Sequence, residues 1–108
     1  MNLENFKIKF KYKDQYAWRK FLTVLELDGR IKWQSCCSPL EFDPEQGWVW
    51  NEGAGKETIW FFIEGFSMTF GCVSEYKSWY LATYEEVLEE CDLENREDLI
   101  LKTMVLNG

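Results

Sequence analysis

The sequence predicts an α+β fold: a single domain over residues 1–108, built on a mostly antiparallel sheet of about five to seven strands with one or two C-terminal helices packed on one face. Three observations predict it. Apolar and polar residues alternate along 6–13 and again along 66–72, turn dipeptides punctuate the stretch between them, and from residue 83 the apolar period lengthens to that of a helix. A chain of 108 residues with 46% hydrophobic and 18% aromatic content has enough apolar material for one core.

Residues 6–13 read Phe-Lys-Ile-Lys-Phe-Lys-Tyr-Lys, a strand with one buried face and a lysine row suited to an exposed face or a sheet edge. Residues 15–27 are ambiguous. Ala17, Phe21, Val24 and Leu25 fit helical spacing with Asp14 as a cap, but β-branched Thr23 and Val24 lead toward Asp28-Gly29. An Asp-Gly pair between two apolar–polar runs is a strong hairpin signature. The expectation is therefore a hairpin of strands 21–27 and 30–36, with a helical turn before it and Ser38-Pro39 after it.

Residues 38–46 hold both prolines and form a loop. Trp48-Val49-Trp50 reads as a short strand and 52–57 as a loop. Residues 58–63 are apolar on both faces, which places them centrally in a sheet. Glu64-Gly65 turns the chain into 66–72, where Phe66, Met68, Phe70 and Cys72 face inward, and 78–82 adds a further strand. Thr83-Tyr84-Glu85-Glu86 is a capping box. Beyond it Tyr84, Val87, Leu88 and Cys91 share one helix face, with Glu85, Glu86, Glu89 and Glu90 on the other. A second helix starts near Arg96, with Asn95 as its cap.

Charge is strongly segregated. Residues 1–40 carry a net +4 and residues 41–108 a net −11, and the segment 83–98 alone holds 8 acids against one arginine. Such a balance disfavours direct binding to nucleic-acid backbones and suits a basic protein partner. The apolar runs are too short to span a membrane, and the start lacks the apolar core of a secretory leader, so a cytoplasmic location is expected.

Several chemistries lack their residues. With no histidine in the chain, the Ser-His-Asp and Cys-His arrangements are excluded. Cys36, Cys37, Cys72 and Cys91 do not have the paired spacing of structural zinc and read as reduced thiols, so neither a metal nor a cofactor is expected. Gly53-Ala54-Gly55-Lys56 resembles a phosphate loop only superficially: Trp50 stands at the first glycine position, Glu57 at the hydroxyl position, and a strand follows instead of a helix. Glu64 is the best single carboxylate for catalysis, and Cys72 and Cys91 are the thiols weighed as nucleophiles, but no partner base accompanies them. The chain is not expected to be an enzyme.

What remains is acids and tryptophans. Exposed aromatic residues beside acids are the composition of a protein-binding hot spot. The expected contact residues are Glu85, Glu86, Glu89, Glu90, Asp92, Glu94, Trp48, Trp50 and Trp79. The function expected is that of a small acidic binding module that neutralises a basic partner, such as a nuclease toxin or another nucleic-acid enzyme. Immunity-type inhibitors share this size and charge, which is an analogy of composition and not of motif. The alternative is a small-molecule or carbohydrate-binding module that stacks its ligand on Trp48, Trp50 or Trp79.

Overall fold

The computed structural model describes residues 1–44, 57–71 and 79–107. Four strands form one mixed sheet: β1 (Asn5–Lys11), β2 (Lys32–Trp33), β3 (Thr58–Glu64) and β4 (Ser67–Gly71). Their spatial order is β1-β3-β4-β2, with β1–β3 and β3–β4 antiparallel and β2–β4 parallel. Three α-helices accompany them: α1 (Gln15–Asp28), α2 (Tyr84–Glu90) and α3 (Glu97–Asn107). A short 3-10 turn covers Pro39–Glu41. The α+β class is as expected, but the sheet has four described strands and is not purely antiparallel.

The central correction lies at residues 15–28. They form a helix where the hairpin was expected, because local capping and burial both favour it. The Asp14 carboxylate accepts from the Ala17 N–H at 3.2 Å, and Trp18, Phe21, Leu22 and Leu25 recur at helical spacing and are buried. Thr23 is absorbed by donating its hydroxyl to the Arg19 carbonyl at 2.8 Å. Asp28-Gly29 ends this helix: Gly29 takes the left-handed conformation (φ 84°) and its N–H returns to the Leu25 carbonyl. A 14-residue helix is also the crossover that parallel strands require. β2 accordingly joins the sheet parallel to β4, over two residues.

The hairpin β3–β4 thus sits between the two strands that α1 connects. Its turn is Gly65-Phe66, both with positive φ (57° and 63°), the conformation that suits the twist of a two-residue hairpin. Strand β3 is central, as its apolar character predicted, and Ile59, Phe61 and Ile63 are buried on the helix side. They pair with Phe10, Ile8 and Phe6 of β1. On the other face, Lys7 is only 6% exposed and does not lie in the open row expected of it. Its backbone forms a parallel bridge with Leu81, and its ammonium lies 5.6 Å from the Trp60 ring. The strand expected over 78–82 is reduced, in its described part, to this bridge. The expected strand at 48–50 lies outside the described residues.

Gly29 is surrounded by open space, so a methyl group there meets no neighbour and only the left-handed backbone opposes it. Gly29→Ala is expected to cost about 1–2 kcal/mol, read as a lowered denaturant midpoint with unchanged slope; an unaltered midpoint would show that the cap is dispensable.

Candidate functional site

The capping box places α2 as the sequence implies. The Thr83 hydroxyl accepts from the Glu86 N–H at 3.2 Å and the Glu86 carboxylate accepts from the Thr83 N–H at 3.0 Å. Val87 is buried, and Tyr84, Leu88 and Cys91 pack against the core beside it. Glu85, Glu89 and Glu90 therefore stand outward, and the chain leaving the helix adds exposed Asp92 and Glu94 to the same segment.

The exit from α2 is closed in the Schellman manner. The Leu93 N–H reaches the Leu88 carbonyl at 2.9 Å and the Asp92 N–H reaches the Glu89 carbonyl at 3.1 Å. Asp92 occupies the left-handed position (φ 56°), where glycine is the usual residue. Glu89 and Glu90 sit at the negative end of the helix dipole. Glu90 is partly compensated by the Met1 amino group at 3.6 Å. Among the described residues Glu85, Glu89, Asp92 and Glu94 form no ion pair. The ridge is thus four unpaired acids, with Glu90 at its side.

Glu86 fills the capping role expected of it and gains a second partner. Its carboxylate accepts from the Tyr80 hydroxyl as well as from Thr83, and these bonds, Tyr80 first, hold it below the usual glutamate range. Trp79 is half-buried at the start of the segment leading to this helix. Trp48 and Trp50, together with the glycine-lysine turn at 53–56, lie outside the described residues.

Behind the ridge a polar knot ties α1 to α2. Arg30 grips Asp28 with two nitrogens, Nε at 3.0 Å and Nη2 at 2.7 Å, and also donates to the Glu90 carbonyl at 3.4 Å. Burial pushes the Asp28 carboxyl up, but hydrogen bonds from the Arg30 side chain and backbone, together with its charge, outweigh this and leave it lowered. Burial and the nearby Asp28 push the Cys91 thiol up to about 12. Cys91 stays protonated at neutral pH and is a poor nucleophile. Glu64 is exposed at the end of β3. Among the described residues no group of three His, Cys, Asp or Glu is placed to hold a metal.

Sequence reasoning missed an aromatic groove at the opposite end of the sheet. Trp33 meets Phe42 at 5.3 Å and Phe70 at 5.9 Å between ring centroids, both nearly edge-on. These three line a cavity of about 350 Å³ with Gln34, Ser35 and Met68. Phe42 came from a stretch read only as loop. The signal was the proline before it: the Pro39 carbonyl accepts from the Trp33 indole N–H at 3.0 Å, and this folds the loop back over the tryptophan.

Among the described residues, no helix is long and apolar enough to cross a membrane.

The lowered Asp28 pKa sets a pH dependence. Its stabilising contribution is complete above the unfolded value of about 4 and is lost as pH falls through the lower folded value. Asp28→Asn is expected to lower stability by about 1 kcal/mol at neutral pH. Denaturation curves of variant and wild type should converge in acid; a constant gap down to the acid limit would refute the assignment.

Comparison with known protein families, with curated proteins and with solved structures finds no match to this chain.

Proposed function

We propose that the chain is a small acidic binding module whose α2 ridge engages a basic protein, in the manner of an inhibitor or immunity-type protein that neutralises a nucleic-acid enzyme. One observation carries the reading: acids are kept where folding favours other residues. Asp92 holds a left-handed position that glycine fills without strain, and Glu89 and Glu90 oppose the helix dipole. Each costs a few tenths to about 1 kcal/mol. Charge retained against stability is a mark of function, and an unpaired acidic ridge both steers a basic partner and pairs with it. The helix supports the ridge rigidly, since its opposite face is anchored by Val87 and its start by the capping box.

The test is the variant Glu85→Gln, Glu89→Gln, Asp92→Asn and Glu94→Gln. It should fold with equal or slightly higher stability. The wild-type chain, used as bait in extracts of its own cells, should retain a basic protein that elutes with salt. The variant should bind that protein with an association rate about tenfold lower at low ionic strength. Retention with an unchanged rate would reject the ridge as the contact surface.

A second reading is supported by the groove of Trp33, Phe42 and Phe70, whose size and aromatic walls fit a small apolar or sugar-like ligand. A ligand there should change tryptophan fluorescence, and Phe42→Ala should abolish the change. No response across a panel of sugars, nucleotides and aromatic acids would retire this reading.

A further inference from the structure

Strand β1 lies at one edge of the sheet. Its register with β3, and the Tyr12 N–H bond to the Glu57 carbonyl at 2.7 Å, show that the even-numbered residues face β3 with their backbone groups. The odd-numbered residues turn theirs outward. At Lys7 both outward groups are used: its N–H donates to the Tyr80 carbonyl and its carbonyl accepts from the Ala82 N–H, each at 2.9 Å. The added segment runs parallel to β1. It then stops, because Thr83 caps α2 and the chain departs as a helix. The Lys9 N–H and carbonyl come next on the edge, and no backbone bond to them forms among the described residues. Beside them is an opening of about 350 Å³ lined by Ile8, Phe10, Leu81, Ala82 and Tyr84.

We propose that this edge receives an extended peptide segment from a partner, added to β1 at the Lys9 N–H and carbonyl and at the Lys11 N–H, the Lys11 carbonyl being already taken by the Asp14 N–H at 3.0 Å, and carrying acidic side chains at alternate positions. Strand addition is already sampled once by the chain itself at Lys7, so the edge geometry is competent for it. The charge pattern selects the occupant. Lys9 and Lys11 are exposed on the face away from the helices, and neither has a carboxylate partner among the described residues. Lys9 is held in place over the Trp60 ring at 5.5 Å. Because strand side chains alternate, an added strand can set acids against this lysine row and apolar residues against the opening. A second copy of the chain fits badly, since antiparallel pairing of two β1 edges about Lys9 sets Lys9 against Lys9 and Lys7 against Lys11. Edge lysines ordinarily forbid pairing; here they would forbid it to neutral and basic strands while admitting acidic ones. This surface is separate from the acidic ridge and does not depend on its role.

Amide hydrogen exchange on the whole chain, followed by NMR, tests the proposal with two synthetic probes, acetyl-Glu-Val-Glu-Val-Glu-Val-Glu-amide and its lysine counterpart. In the free protein the Lys9 amide should exchange about tenfold or more faster than the amides of Ile8 and Phe10, which bond to β3. The acidic peptide should slow exchange at Lys9 by about tenfold at saturation, and the lysine peptide should not. Lys9→Glu with Lys11→Glu, both at exposed positions, should reverse the preference while leaving protection at Ile8 intact. Three results would overturn the idea: a Lys9 amide already protected in dilute free protein, protection that grows with protein concentration alone, or equal protection by both peptides.

Discussion

The fold depends on burying the helix-facing side of β3, and above all on Phe61. Its ring lies within 5.3 to 6.5 Å of Phe10, Trp18, Phe21 and Trp33. Those partners come from β1, α1 and β2, so one side chain joins three elements that are distant in sequence. Aromatic contacts of this kind add to the area they bury and prefer the tilted and edge-on geometries seen here. The helix α1 cannot be replaced by strands without losing two of these rings from the cluster. Its burial therefore decides the mixed topology as well as the core.

With α1 on that face and α3 packed against α1, α2 is left at the margin with one row of apolar residues. Val87 alone is fully buried on it. The remainder of a seven-residue helix is free to carry charge, and it carries acids even where backbone and dipole oppose them. The anchoring comes from elsewhere: the Asp28–Arg30 pair holds its far end to α1, and the capping box holds its start. A short helix fixed at both ends tolerates unfavourable side chains that a free-standing one would not.

What was legible in the sequence follows from the range of the forces involved. The lysine strand, the central apolar strand, the Gly65 turn and the Thr83 capping box are set by neighbours within a few residues, and each stands where periodicity and turn chemistry placed it. Asp28-Gly29 suggests a hairpin turn because left-handed glycine serves hairpins and helix ends alike. The Asp14 cap and the burial of Trp18 and Phe21 against the distant Phe61 decide for the helix end. The parallel pairing of β2 was invisible for the same reason, since it needs the crossover helix first. At the ridge, the acids were evident as charge, but the engagement of Glu86 by Tyr80 and of Glu90 by the chain's own amino group required the fold. The aromatic groove is not legible in the sequence because Phe42 and Phe70 are 28 residues apart and come together, with Trp33, only in the fold.

Thr83 links the two surfaces proposed for this chain. Up to Ala82 the backbone pairs with β1 as a strand, and from Tyr84 it is helix. The side-chain bond from the Glu86 N–H to Thr83 makes that change abrupt, within one residue. Had the strand continued, it would have covered Lys9 and closed the basic edge, and Glu85 and Glu89 would have fallen on a sheet without forming a ridge. One cap thus ends the pairing that would hide the lysines and begins the helix that displays the acids. The segregation of charge along the sequence becomes, through this residue, two neighbouring surfaces of opposite sign.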